Sequence, residues 1–415
     1  MLILTLLLQN FAPAGCLRAD AAGDPAEYMI YQYPDVALVV KVDVPEAEFS
    51  MRAWGPDSEL LAEAGIPGRR LGPVFQYLAP SDLPRQLMIE VTPARPLARS
   101  KIDMQVIQLE FNDPNARNLA SAYRLLSDGA AAARGNDINT WVVKAYSLSS
   151  AAEKFAALGM EEMRLWSELS AAHLVLYRLG DRVTAMEMAR EIQRAAVRAG
   201  FARVELAALA FEGEALVQLI DSGDLEAAGG EERTLAVFAR IADLAEKQRL
   251  FGVQARALYR AGRVLERQGR PEAALEKYNA ALDVGAAARD PDLLSEVRNA
   301  SASLQESMGR TGGAIEMLDQ LAAELEGGEE GGAAPELAEG LYEKGRLLNA
   351  NYRHAEAAVE LSRALELQRG SGGVPALGPT GLELAWSLYA IGDADGAAGL
   401  IREMLQRMPR RDHRD

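Results

Sequence analysis

Between Tyr28 and Phe111 apolar residues fall on alternate positions: Val36, Leu38, Val40 and Val42, then Phe49, Met51 and Ala53, then Leu87, Ile89 and Val91. Alternation buries one face of an extended chain and wets the other, so it predicts half-buried antiparallel strands. Gly55-Pro56-Asp57-Ser58 supplies turn chemistry between two of these runs. In the last run the apolar parity slips, from Ile102, Met104 and Val106 to Ile107, Leu109 and Phe111, and a β-bulge is the expected device. About seven short strands in this stretch predict a small all-β sandwich over residues 28–111. Its turns carry no clustered carboxylates, histidines or aromatics, so a packing or spacing role is expected rather than a calcium or sugar site.

Beyond Asn115 the period changes to that of a helix, in a chain rich in Ala, Leu, Glu and Arg. The segment from Ala257 to Leu282 resembles a tetratricopeptide repeat (TPR) nearly position for position. Gly262 matches the small residue that lets the two helices of a repeat approach. Gly269 matches the turn glycine, where a left-handed residue ends the first helix at little cost. Ala274, Tyr278 and Ala281 match the small–aromatic–small stripe of the second helix.

The frame recurs. Turn residues Gly180, Gly223, Gly269, Gly309, Tyr352 and Gly392 are each followed five positions later by an alanine: Ala185, Ala228, Ala274, Ala314, Ala357 and Ala397. Seven positions before each turn stand His173, Leu216, Gly262, Ala302, Gly345 and Ala385. The turns are 43, 46, 40, 43 and 40 residues apart, against about 34 for the usual repeat. Longer helices and the glycine-rich connectors Glu326–Pro335 and Arg369–Gly381 are expected to absorb the excess. About six repeats are expected over 160–409. A degenerate helix pair over 115–159 would cap them against the sandwich, and 410–415 is a polar tail. The expected fold is mainly α: a TPR α-solenoid, a superhelix of antiparallel helix pairs, preceded by a small all-β sandwich. No pair buries its apolar face alone, so pairs stack and their first helices line an open groove. Such a groove suits capture of a peptide or helix and suits covalent chemistry poorly.

Composition narrows the function classes. The chain is 49% hydrophobic and 25% charged with a net charge of −16, which opposes general binding to nucleic acid or to anionic lipid. One cysteine, Cys16, and three scattered histidines exclude an internal disulfide and a thiolate metal cage. Met1 to Phe11 is nearly all apolar and is followed by Ala12-Pro13-Ala14-Gly15-Cys16. The run has the length of a signal-peptide core and is too short to span a bilayer. The small–x–small motif suits a signal peptidase, and Ala14-Gly15-Cys16 has the form of a lipoprotein signal with Cys16 as the lipidated residue. The expectation is export over 1–16, to the periplasm or as an outer-membrane lipoprotein, with any membrane contact made through that anchor.

Arg256, Arg260, Arg263 and Arg267 form one stripe on the first helix of the best-matching repeat. With Tyr259 they are candidate groove residues, joined from later repeats by Asn299, Tyr342, Arg346, Asn349, Trp386 and Tyr389. Guanidinium forks fit carboxylates, so an acidic segment or free C-terminus is the natural guest. This resembles the carboxylate clamp of chaperone-binding TPR proteins, with Arg in place of Lys. The alternative is internal pairing with Glu214, Asp221, Glu296, Glu306 and Glu339. His173 is expected to be a packed, hydrogen-bonded imidazole, Asp393-Ala394-Asp395-Gly396 a polar turn, and Trp141, Trp166 and Tyr177 core residues. No P-loop, dinucleotide fingerprint, zincin motif or nucleophile elbow is present; no cofactor, no metal and no enzymatic activity is expected.

The order of elements, with the stretches FSMRAWGPDSELLAEAG and IEVTPA, resembles the N-terminal half of bacterial envelope proteins. In these a signal, a β-sandwich and a TPR array precede a caspase-like CHAT protease domain. That protease needs a His and a Cys in a further α/β domain, and the only cysteine here lies in the expected signal, so no catalytic residue carries over. Two functions follow: a non-enzymatic scaffold binding a protein or peptide segment in its groove, or a sensor half restraining a separate CHAT-type protease.

Overall fold

The computed structural model describes residues 14–22, 26–43, 49–64, 71–93, 98–131, 137–224, 230–288, 290–327, 334–370 and 377–407. The chain divides into two compact units, Met1–Val253 and Gln254–Asp415.

Among the described residues the first unit opens with eight strands: β1 (Ala14–Ala22), β2 (Ala26–Gln32), β3 (Val36–Asp43), β4 (Phe49–Trp54), β5 (Leu60–Ala64), β6 (Val74–Leu78), β7 (Arg85–Pro93) and β8 (Ala98–Glu110). They form two antiparallel sheets, β1-β8-β3-β6 and β2-β7-β4-β5, closed on one core of Leu38, Val40, Met51, Leu87, Ile89, Ile102 and Met104. The Gly55–Ser58 turn joins β4 to β5, with Ser58 left-handed at φ 57°. The sandwich starts earlier than the alternation suggests. β1 pairs with β8, and Ala14–Ala22 holds a single large apolar residue, Leu17, too weak a pattern to read. Residues 1–13, most of the expected export segment, lie outside the described residues; Cys16 stands within β1.

A register shift does occur between Ala14 and Leu17 of β1, opposite Val106 and Met104, but the parity slip in β8 does not depend on it. The register of β8 with β3 is unbroken from Val36↔Glu110 to Asp43↔Asp103. Ile102 and Met104 face the sandwich core, whereas Leu109, with Ile107 and Phe111, faces the first helix pair together with Ala37, Val39 and Phe75. Strand faces covered on both sides read as continuous apolar runs.

Among the described residues fourteen helices follow: α1 (Pro114–Ala130), α2 (Ile138–Ala157), α3 (Glu161–Leu174), α4 (Arg182–Ala199), α5 (Ala202–Asp221), α6 (Glu231–Gln248), α7 (Phe251–Arg267), α8 (Pro271–Ala288), α9 (Pro291–Ser307), α10 (Thr311–Gly327), α11 (Ala334–Ala350), α12 (His354–Gly370), α13 (Leu377–Ala390) and α14 (Ala394–Arg407). From α7 residue Gln254 onward they belong to the second unit. α3 runs on into one π turn, Val175–Leu179. The chain is thus a mainly α assembly of TPR-type helix pairs behind a small antiparallel β sandwich.

The turn residues Gly180, Gly223, Gly269, Gly309 and Gly392 all have positive φ, and Tyr352 takes the same left-handed conformation at φ 60°. Five residues on, Ala185, Ala274, Ala314 and Ala357 are fully buried and Ala397 nearly so. Ala228 lies outside the described residues, and α6 begins only at Glu231. The positions seven before each turn are all buried. At Gly262 the reason is close approach: a Cβ there would fall 2.6 Å from Tyr278 Cδ1.

In the first unit α1 lies on the outer face of the β1-β8-β3-β6 sheet, with Tyr123 against Phe75 and Phe155 and Gln76 Nε2 donating to Ser127 Oγ (2.8 Å). Arg203 at the start of α5 holds the buried Asp43 of β3 through both guanidinium nitrogens (2.6 and 3.3 Å). Glu212, also buried, accepts from Arg190 (2.7 Å) and Arg233 (3.2 Å), which ties α4, α5 and α6 together. His173 is the packed imidazole expected, its Nδ1–H donating to Leu169 O (2.8 Å) beside Phe211. Trp141 and Trp166 are buried, but Tyr177, in the π turn, is partly exposed with its ring stacked on that of His173 (6.1 Å).

Candidate interaction surface

The first helices of the repeats are not equally open. From Leu165 to Leu174, every residue of α3 except Glu168 is buried. Ala171 and Leu174 pack with α1, α2 and the sheet, and Trp166 and Ser170 line a crevice with Val74, Phe75 and Leu126. Sandwich and first pair therefore cover the surface that α3 would present.

In the second unit the first helices α9, α11 and α13 touch one another in succession, while the second helices α10, α12 and α14 meet far less. The first-helix side is the inner side of the stack. Exposed on it are Ser303 and Ser307 of α9, Glu339 and Ala350 of α11, and Leu382, Trp386 and Tyr389 of α13.

The predicted groove residues differ in their surroundings. Tyr259 is buried, with its ring against Tyr278. Arg256 is half-buried and bonded to Asp290, the residue that caps α9. Arg260 is half-buried, whereas Arg263 and Arg267 are exposed; Arg263 Nη1 donates to Tyr259 Oη (3.4 Å) and lies 3.7 Å from Glu266. Arg346 forks onto Glu306 of α9 (3.1 and 2.6 Å) and Glu343 (2.9 Å). The Glu306 hydrogen bond, followed by that to Glu343, holds its pKa above the ordinary arginine value against the opposing effect of burial. Asn349, buried, donates to Glu383 O (3.1 Å) and Oε2 (2.9 Å) and accepts from Ser387 Oγ (2.8 Å) and His354 Nδ1 (3.1 Å). Asn299 is half-buried with a buried Oδ1, and burial raises the pKa of the half-buried Tyr342. Arg256, Arg346 and Asn349 thus fasten neighbouring repeats, the internal pairing anticipated for Glu306 included. Arg263, Arg267, Trp386 and Tyr389 are exposed to solvent.

The spacing did not single out Leu382, Tyr352 or His354 as partners of Trp386. His354 is ring-to-ring with Tyr352 (6.1 Å) and with Trp386 (6.4 Å), both edge-on, and Trp386 with Tyr389 (6.4 Å). His354 opens α12, the helix before that of Trp386, so only the fold joins them. Met29 and Tyr31 on the outer face of β2, with Tyr33 just beyond the strand, form a second exposed apolar group in which the two tyrosine rings meet edge-on (5.1 Å). Asp393 caps α14 through Gly396 N (2.9 Å), and no metal-binding cluster of His, Cys, Asp and Glu occurs among the described residues. A cleft between α3 and α4 mixes Arg164, Arg194 and Arg198 with Glu168 and Glu191.

No family model matches the chain, and no curated protein matches its sequence. Among solved structures it is similar to the apo form of RapI (10% identity over 70% of this chain and 75% of that one, TM-score 0.48). It is also similar to the apo quorum sensor NprR from B. thuringiensis (15%, 72% and 78%, TM-score 0.42). A third likeness is to the TPR-like repeats of a Podosopora anserina kinesin light chain (17%, 50% and 96%, TM-score 0.39).

Proposed function

We propose that this protein is a non-enzymatic scaffold that captures a peptide segment, extended or helical, on the inner first-helix surface of α7, α9, α11 and α13. One observation carries the reading: these helices leave outward-facing charged, hydroxyl and aromatic residues uncovered, while the equivalent face of α3 is closed by the sandwich and α1. The long shallow surface matches helix-in-groove or extended-peptide recognition. Arg263 and Arg267 offer exposed guanidinium forks to the carboxylates of an acidic stretch.

Phage-displayed twelve-residue peptides selected on the full chain test this. Ser303→Arg with Ser307→Arg obstructs the inner surface, and Val359→Arg alters the exposed back of α12. Selected peptides should lose tenfold or more in affinity to the first variant and keep binding the second; equal binding to both refutes the surface. Export with lipidation at Cys16 is part of the proposal. Cys16→Ser should move the protein from the membrane to the soluble fraction, and unchanged partitioning removes the anchor.

A further inference from the structure

Five of the six repeats turn on glycine, and the sixth turns on Tyr352. Its φ of 60° is a conformation that disfavours any residue with a Cβ. The turn closes as a helix cap should, with Tyr352 N donating to Asn349 O (3.0 Å) and Arg353 N to Leu348 O (2.9 Å). The ring itself is 86% exposed, so it buries almost nothing in return for the backbone cost. Trp386 and Tyr389, one helix further, are 56% and 64% exposed, although residues of this size are ordinarily drawn into a core or an interface. With His354 they form one continuous ladder of rings, extended by exposed Leu382 and Ile391.

The charges around the ladder select its guest. Arg353, beside Tyr352, is neutralised by two bonds to Glu356 (2.7 and 2.6 Å). The Glu383 carboxylate accepts from Asn349 Nδ2 (2.9 Å), in the network that also holds His354. Glu383, Asp393 and Asp395 are in no ion pair among the described residues. Electron-rich ring faces beside uncompensated carboxylates attract guanidinium and ammonium groups.

We infer that the Tyr352–His354–Trp386–Tyr389 ladder is the anchoring site for a cationic, apolar peptide segment. Arginine or lysine side chains lie over the rings and toward Glu383, Asp393 and Asp395, and apolar side chains sit on Leu382 and Ile391. This rests on the scaffold reading and adds an orientation to it. The guest is charge-asymmetric, with its basic apolar part at α13 and any acidic part toward Arg263 and Arg267.

The test uses three fluorescein-labelled twelve-residue peptides: alternating Arg and Leu, and the same chain with every Arg replaced by Gln or by Glu. Binding to the full chain is followed by anisotropy. The Arg peptide should bind at least tenfold more tightly than the Gln peptide. Trp386→Ala should weaken the Arg peptide about five- to thirtyfold, and Tyr352→Gly several-fold without lowering the melting temperature. Tyr146→Ala, on an exposed helix face of the first unit, should change nothing, which separates the ladder from attraction by the chain's overall negative charge. Equal affinity for the Arg and Gln peptides, or an Arg peptide indifferent to Trp386→Ala, overturns the inference. If the Glu peptide alone binds and depends on Arg263 and Arg267, the ladder falls and the scaffold reading stands; if none of the three binds and no displayed peptide is selected, both fall.

Discussion

Gly262→Ala is a substitution for which helix propensity and packing predict opposite signs. In an exposed helix interior the added methyl favours helix by about 1 kcal/mol. Here the new Cβ would sit 2.6 Å from Tyr278 Cδ1 and 3.3 Å from Ala274 O, where carbon atoms want about 3.5 Å or more. Tyr278 cannot easily retreat. It is fully buried and donates to Glu266 Oε2 at 2.6 Å, and burial together with that bond pushes its pKa far up. Overpacking costs roughly 1–3 kcal/mol, and strain on a hydrogen bond to a charged acceptor adds roughly 1 kcal/mol or more. The net loss should be about 2 kcal/mol, or a fall of roughly 4–8 °C for a unit of this size. Gly399, exposed in α14 with nothing near its missing Cβ, is the control, and Gly399→Ala should gain roughly 0.5–1 kcal/mol. Calorimetry of the two variants decides the matter. A Gly262→Ala protein that melts as high as Gly399→Ala would refute the close approach of α7 and α8.

Other outcomes follow from single contacts. Arg203→Ala strands the buried Asp43 carboxylate and should cost about 2 kcal/mol in denaturant unfolding; adding Asp43→Ala should recover part of it, and strict additivity would show that the pair is not coupled. Asp181 accepts from Thr184 at the start of α4, and hydrogen bonding to the Thr184 side chain, then to its backbone, lowers its pKa. Asp181→Ala should therefore cost about 1 kcal/mol at pH 7. Because the folded-state pKa is the lower one, the wild-type advantage is present above the ordinary Asp range and lost as pH falls through the folded value. An advantage that grows on acidification contradicts the cap. Arg260→Glu with Arg263→Glu should reduce capture of an acidic peptide about tenfold, and unchanged capture removes α7 from the surface.

The periodic parts of this fold were legible because each rests on local rules. The turn glycines announce left-handed residues, and Gly262 with Tyr278 announces a close helix pair. Trp386 and Tyr389 could be named from their phase on α13. What escaped depends on contacts between distant segments. β1 offers one strong apolar residue, so only its pairing with β8 reveals it. The parity slip at Ile107 records a helix lying on the sheet, which a strand alone cannot show. The arginine stripe looked uniform, yet Arg256 is taken up by Asp290 and, one repeat pair later, Arg346 by Glu306. His354 and Tyr352 join Trp386 only through the α11–α12 turn.

The central claim is that the first-helix side of the second unit is where a partner sits. A photo-activatable amino acid at Ser303, exposed on α9, and another at Val359, exposed on α12, read this directly in cells. Irradiation should attach a defined partner peptide from position 303 and not from 359, with loss of the 303 adduct on Trp386→Ala. Adducts from 359 alone, or equally from both, would contradict it.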